Sequence, residues 1–261
     1  MSLKGKSAIV TGSTSGIGQG IAEALAAQGC NVMLNGFGDQ AAIARLREEI
    51  AKKNGVKVEY NGADMSKPAQ IADLVAKTQA AFGSVDILVN NAGIQFTAPV
   101  EDFPPEKWDA IIAINLSATF HAIHAALPLM KAKKWGRIIN VASTHGLVAS
   151  AHKVAYVAAK HGILGMTKVV GVECADTGVT CNAICPGWVL TPLVQKQIED
   201  RAKAEKITVE QASADLLREK QPQLKFTTTE QIAGLAVFLA SDTASNMQGT
   251  QLVSDGGWTA Q

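Results

Sequence analysis

Ser7-Ala8-Ile9-Val10-Thr11-Gly12-Ser13-Thr14-Ser15-Gly16-Ile17-Gly18 is the stretch on which the fold turns. Its first five residues run without polar alternation, as in a strand buried on both faces. The glycines that follow, spaced G-x-x-x-G-x-G, permit a tight exit from the strand and a close approach of backbone to a ligand. A helical pattern then reaches about Gln28, with Gly29 as its C-cap. Strand, glycine turn and helix N-terminus in that order suit a pyrophosphate, because unpaired backbone amides and the helix dipole both favour anions. The spacing departs from the usual dinucleotide fingerprint, so the reading depends on its surroundings.

Outward from that turn the chain alternates strand and helix without a linker. Strands are expected at Asn31–Asn35, Val56–Tyr60, Val85–Asn90, Gly136–Val141, Val179–Ile184 and Thr250–Val253. Helices are expected over about 40–53, 67–82, 105–133, around Tyr156, and 229–241. Continuous apolar strands separated by helices mean a parallel sheet covered on both faces, an α/β doubly wound fold of the Rossmann type. Residues 188–226 leave this rhythm, and the charged helical run within them, from about Pro192 to Lys220, reads as a substrate lid. With no repeat or low-complexity segment, residues 1–261 form a single domain.

Composition narrows the function. A net charge of +1 gives no reason to expect a nucleic acid or an anionic membrane as partner. The four cysteines, Cys30, Cys174, Cys181 and Cys185, lack metal-ligand pairing and read as buried free thiols, and no metal is expected. No apolar run approaches the ~20 residues of a membrane span, and the N-terminus lacks a signal-peptide pattern, so a reducing cytoplasm is the expected address.

Chemistry gathers where strands end. In Ala155-Tyr156-Val157-Ala158-Ala159-Lys160, tyrosine and lysine four apart share a helix face. An ammonium one turn away should favour the phenolate of a residue that otherwise ionises near pH ~10. Ser143, where the fifth strand gives way to a loop, can hold the same substrate oxygen. Alone the pair is a weak signal, since tyrosine and lysine meet at this spacing by chance in many helices. Asp64 follows the third strand and can accept from an adenine amino group, or cap the next helix. Asn90-Asn91-Ala92-Gly93 can line the adenosine side, or simply turn the chain. Asn115 sits inside a helix, where asparagine needs a reason: a kink with a water leading to Lys160, or an interhelical hydrogen bond. The second strand ends in Asn35-Gly36-Phe37-Gly38 with no basic residue nearby for an extra ribose phosphate and no repelling aspartate, so NAD should be preferred over NADP, but not absolutely.

Together these motifs, in this order and spacing over about residues 6–258, resemble the short-chain dehydrogenase/reductase family. The resemblance implies a tetrad of Asn115 (proton-relay support), Ser143 (oxygen anchor), Tyr156 (acid/base) and Lys160 (ribose holder and pKa tuner). It further implies NAD held by Gly12, Thr14, Ser15, Gly16, Ile17, Gly18, Phe37, Asp64, Asn91, Gly93, Tyr156, Lys160, Pro186, Gly187, Val189 and Thr191. Within the family, Asn91-Ala92-Gly93-Ile94-Gln95, His145-Gly146-Leu147-Val148-Ala149-Ser150, Cys185-Pro186-Gly187-Trp188-Val189 and Asp255-Gly256-Gly257-Trp258 look most like the bacterial D-3-hydroxybutyrate dehydrogenases. That implies a substrate carboxylate on Gln95, His145, Lys153 and Gln197, walls of Trp188 and Trp258, and a homotetramer. Phe96, Leu190, Thr144 and His152 depart from the pattern, and the first two are expected to make the outer pocket more apolar. A 3-oxoacyl reductase and a catalytically silent dinucleotide sensor are the competing readings. The first predicts tolerance of long thioesters; the second has no need of an intact tetrad.

Overall fold

Seven parallel strands form one sheet in the order β3-β2-β1-β4-β5-β6-β7. They are β1 Ser7–Val10, β2 Asn31–Asn35, β3 Val58–Asn61, β4 Ile87–Asn90, β5 Gly136–Val141, β6 Val179–Pro186 and β7 Gln251–Ser254. The structure, a computed structural model, describes residues 3–260. β3 starts two residues later than expected, after Gly55, left-handed at φ 64°, has ended the preceding helix.

Strand alternation feeds two cores. Ala8, Val10, Val32, Leu34, Val89 and Ile139 point to one face, with helices α1 (Gly16–Ala27) and α9 (Thr229–Ala240). Ile9, Met33, Leu88 and Ile138 point to the other, with α3 (Pro68–Phe82) and α5 (Ala118–Lys133). Burying both faces is why these strands are apolar throughout. Helix α2 (Gln40–Asn54) begins at Asp39, whose carboxylate accepts from Ala42 N–H at 2.8 Å.

The helical stretch 105–133 is continuous but not uniform. Helix α4 (Pro105–Ile111) passes into a π-helical turn, Ile112–Ser117, before α5. By length and composition Pro105–Lys133 could cross a membrane, contrary to the sequence expectation. Its residues Ala118, Ala122, Ala126 and Met130 instead pack in the second core.

Helix α6 (Val154–Glu173) carries Tyr156. The expected lid is two helices, α7 (Pro192–Glu205) and α8 (Val209–Arg218), each begun by a threonine cap, Thr191 and Thr208. They pack through Val194, Ile198, Ala202, Ala212 and Leu217 on Trp188 and Trp258, a core of their own beside the sheet.

Candidate active site

β1 and β4 are neighbours, yet the chain leaves them in opposite directions, to β2 and to β5. Open α/β sheets bind ligands at this divergence, beyond the strands' carboxyl ends. A cleft with about 360 Å³ of free space opens there. Every residue to which the family resemblance gave a cofactor, substrate or catalytic role lines it except Gly18 and Asn115.

Both exceptions have a physical reason. A Cβ on Gly18 would lie 2.2 Å from the Gly12 carbonyl oxygen, so this glycine packs the helix against the turn and does not face a ligand. Asn115 sits in the π-turn with its amide turned to one loop residue: it accepts from Ile94 N–H at 2.8 Å and donates to Ile94 O at 2.9 Å. It holds the loop that carries Gln95, and its side-chain partner is neither a helix nor Lys160.

The dinucleotide end is built mainly from backbone. Gly12 and Gly16 adopt φ 62° and 58°, and Ser15 begins α1 without a side-chain cap, which leaves first-turn amides free. Asn91 donates to Thr11 O at 2.8 Å and Gly12 O at 3.1 Å, stapling the end of β4 to the glycine turn. Asp64 caps locally, accepting from Ser66 N–H at 2.8 Å, a bond that lowers its pKa, while still lining the cleft. Free amides without acidic residues in the first turn of α1 fit a pyrophosphate. The fit holds for a dinucleotide as a class.

At the chemical end, Lys160 donates to Val141 O at 2.8 Å and lies 5.5 Å from the Tyr156 ring centroid. Burial pushes the Tyr156 phenol up to about 12, against the opposing hydrogen bond with Ser143. Burial likewise brings Lys160 down to about 8. The expected depression of the phenol by its lysine does not appear in the free protein, where desolvation outweighs the Ser143 hydrogen bond. Ser143 Oγ accepts from His145 N–H at 3.2 Å and lies 3.4 Å from its Nδ1.

Beyond Ser143 lies a tryptophan-walled compartment. The Trp188 and Trp258 rings are 5.6 Å apart, and His145 meets Trp258 edge-on at 5.2 Å. His145 Nε2 lies 3.0 Å from Ser150 Oγ, and burial, then the Lys153 charge, lowers its pKa to about 3. It is a neutral imidazole. Lys153 Nζ stands 4.8 Å over the Trp188 ring, and no carboxylate among the described residues pairs with it. Three buried polar atoms here have no hydrogen-bond partner in the protein: Gln95 Nε2, Trp188 Nε1 and Thr144 Oγ1. Gln197 approaches from α7, its amide donating to Leu193 O at 3.5 Å.

A family model described as enoyl-(acyl carrier protein) reductase matches residues 12–259. The chain is 63% identical to a D-beta-hydroxybutyrate dehydrogenase of Cupriavidus necator over 99% of its own length and 100% of the relative's. It is 56% identical to one from Rhizobium meliloti, covering 98% and 99% of the two chains. The chain belongs to the short-chain dehydrogenase/reductase family. Among solved structures, an actinorhodin polyketide ketoreductase variant with NADPH superposes with TM-score 0.92 at 31% identity, over 98% of each chain. Levodione reductase does so with TM-score 0.91 at 29% identity, also over 98% of each.

Against the family pattern, two expectations about the pocket fail. Phe96 packs edge-on against Phe103 at 5.5 Å, and Leu190 is half exposed; neither lines the cleft. They leave the pocket's polarity to Gln95, Lys153 and Gln197. Thr144 lines it instead, a polar residue that sequence reading noted only as a departure. A third correction concerns the adenosine end. Arg45 lines a depression next to Thr14 and Phe37, so a basic residue is nearer than the sequence suggested. It sits on α2, one turn before Glu49 and far enough along the chain from Phe37 to escape a local scan.

Proposed function

We propose that this family member oxidises D-3-hydroxybutyrate to acetoacetate with NAD, reversibly. The observation that carries the reading is the acid-shaped end of the cleft: the unpaired Lys153 ammonium over Trp188, beside the partnerless Gln95 and Trp188 nitrogens. A carboxylate supplies the acceptor all three lack, and fixing one end of a four-carbon acid presents its hydroxyl to Ser143 and Tyr156. The length and closeness of the match to the Cupriavidus and Rhizobium enzymes support the same substrate.

A nicotinamide dinucleotide would supply the hydride acceptor and, oxidised, a positive charge to the site. The glycine turn, Asp64 and Thr191 would hold it. Ser143 donates to the substrate oxygen, and Tyr156 Oη takes that oxygen's proton. Lys160 helps to hold the phenolate once the site gains positive charge. His145, neutral and bonded on both ring nitrogens, shapes the wall and leaves the charge to Lys153. NAD is the expected cofactor because β2 is followed by Gly36 and the exposed Phe37, with Arg45 only in the adjoining depression. We place the protein in a reducing cytoplasm, which suits four buried free thiols, and as a homotetramer, which the exposed Phe120, Val169 and Val172 on α5 and α6 support.

The test is reduction of the cofactor by purified protein with D-3-hydroxybutyrate, with NAD and with NADP, and with 2-butanol as the neutral analogue. A strong preference for the acid and for NAD is expected. Equal efficiency on acid and alcohol overturns the carboxylate clamp, and equal efficiency with both cofactors overturns the NAD preference. Light scattering reports the assembly.

A further inference from the structure

Asn35 ends β2, is fully buried and yet lines the cleft. An asparagine at a strand's end ordinarily forms a turn, its side chain bonded to its own backbone. This one reaches two other loops. Its amide nitrogen donates to Asn61 O and to Ala63 O, each at 3.0 Å, and its amide oxygen accepts from Gly12 N–H at 3.3 Å. Its backbone is tied to the same glycine turn: Asn35 N–H donates to Ser13 Oγ at 3.0 Å, and Asn35 O accepts from Ser13 N–H at 2.6 Å. The next two residues continue the knot. Tyr60 Oη donates to Gly36 O at 2.8 Å, and Thr14 Oγ1 donates to Phe37 O at 2.9 Å. A Cβ at Gly36 would lie 2.7 Å from Thr14 Oγ1, so the loop after β2 lies directly on the glycine turn.

We propose that Asn35 is a positioning residue for the cofactor, fixing the glycine turn and the loops after β2 and β3 as one preformed surface for its adenosine and pyrophosphate half. This rests on the reading of the cleft as a dinucleotide site. The register between β1 and β2 ends at Val10 and Leu34, and that between β2 and β3 at Asn35 and Asn61. Beyond those pairs the strands part, and the Asn35 side chain supplies the ties on both sides, to Gly12 where the chain leaves β1 and to Ala63 where it leaves β3. A planar amide with two N–H donors and one acceptor oxygen does both at once; alanine does neither, and an ionised carboxylate has no donor. Two consequences reach the ligand. The Gly12 and Ser13 amides are committed to Asn35, which leaves the pyrophosphate to the amides at the start of α1. Holding the Ala63 carbonyl fixes the next residue, Asp64, whose own N–H donates to Gln70 Oε1 at 2.7 Å. Loops that are not arranged beforehand must be ordered by the ligand, and the apparent affinity falls with the fraction of molecules already competent.

The experiment compares the parent enzyme with Asn35→Ala and Asn35→Asp. Calorimetry measures the binding of NAD and of ADP-ribose, which carries the adenosine and pyrophosphate but no nicotinamide. Kinetics at saturating NAD give kcat and KM for D-3-hydroxybutyrate. In Asn35→Ala both dissociation constants should rise about tenfold, as when only one molecule in about ten keeps the loops together. At saturating NAD, kcat and the KM for the acid should change far less, because that end of the cleft is built on β5, α6 and the lid. Asn35→Asp keeps the volume and the acceptor for Gly12, but its carboxylate faces the Asn61 and Ala63 carbonyls. Burial beside two carbonyls raises its pKa, and the protonated form regains one donor. Its affinity for ADP-ribose should therefore recover toward the parent's as pH falls from about 8 to about 5, a trend that a packing role for the side chain would not produce. Should Asn35→Ala fail to fold, that pH trend decides, and its absence counts against the proposal. Unchanged ADP-ribose binding in folded Asn35→Ala overturns the proposal while leaving the dinucleotide reading intact, as does a loss of kcat at saturating NAD with binding unaltered. A parent enzyme that binds neither NAD nor ADP-ribose overturns both.

Discussion

Tyr156 shows where residue-level reading succeeds and where it stops. Its spacing from Lys160 and its place after Ser143 were legible, since helix geometry fixes which residues share a face. Its electrostatics were not. An ammonium one turn away was expected to pull the phenol down, but Lys160 points to the Val141 carbonyl and both groups are desolvated. Burial depends on everything packed around a residue, and no local spacing encodes that. Tyr156→Phe removes one oxygen and little volume, so the melting transition should be retained. Turnover should fall by the ~10²–10⁴ of a lost acid/base, or more if positioning is lost too. Near-normal turnover in that variant would remove Tyr156 from its role. With burial raising the phenol, oxidation should quicken with rising pH, whereas the loss of Lys153 charge above about 8 should raise KM for the acid. Separate pH profiles of kcat and KM check the two opposite trends.

At the scale of elements, the six strands and five helices expected beyond β1 and α1 all form, because continuous apolar runs and glycine or proline punctuation are local signals. The π-turn at Ile112–Ser117 left only one trace, an asparagine where a helix disfavours it. What that asparagine pairs with lies twenty-one residues away, at Ile94, a separation that no periodicity reveals. The extra residue in the π-turn aims Asn115 at the loop after β4, and that loop carries Gln95. Asn115→Ala should therefore act as a structural substitution first. It leaves the Ile94 N–H and carbonyl without their partner, at about 1–3 kcal/mol, and lowers the urea midpoint. It should also raise KM for the hydroxy acid through a displaced Gln95. Asn115→Ala with an unchanged midpoint would show that the Ile94 contacts contribute nothing. The lid follows the same rule. Its helical character could be read from the sequence, but its division into two helices and the packing of α8 against Trp188 through Gln221 could not.

The whole molecule stores its function as a pH-dependent cost. His145, ordinarily near 6.5, is brought to about 3 by burial and then by Lys153. Below pH 6.5 the unfolded chain takes up a proton there that the folded chain refuses, so stability falls as pH falls. Lys153 and Lys160, ordinarily near 10.5, are brought by burial to about 8. Above pH 8 the folded state releases protons that the unfolded state keeps, so stability rises with pH. From about pH 9, the ordinary thiol value, a third set intervenes. Burial raises Cys30 to about 12 and Cys185 to about 11, and raises Cys174 and Cys181 as well. Unfolded thiols then ionise while folded ones cannot, and stability falls. Tyr156, also raised to about 12, adds to that fall above pH 10. The three effects place the maximum of stability near pH 9. The fully buried Lys160 contributes about 1 kcal/mol to the rise between pH 8 and 9; half-buried Lys153 contributes less, because solvent screens it. Urea denaturation of the free enzyme across pH 5 to 10 measures the curve, and Lys153→Met should raise the midpoint at pH 7 while flattening the step between 8 and 9. That gain in stability should come with a loss of 3-hydroxybutyrate oxidation, since the unpaired ammonium that weakens the free fold is the group proposed to meet the substrate's carboxylate. A midpoint that falls steadily from neutral pH to pH 9 would mean that the two lysines keep their protons in the folded state, and that the site is wetter than its geometry indicates.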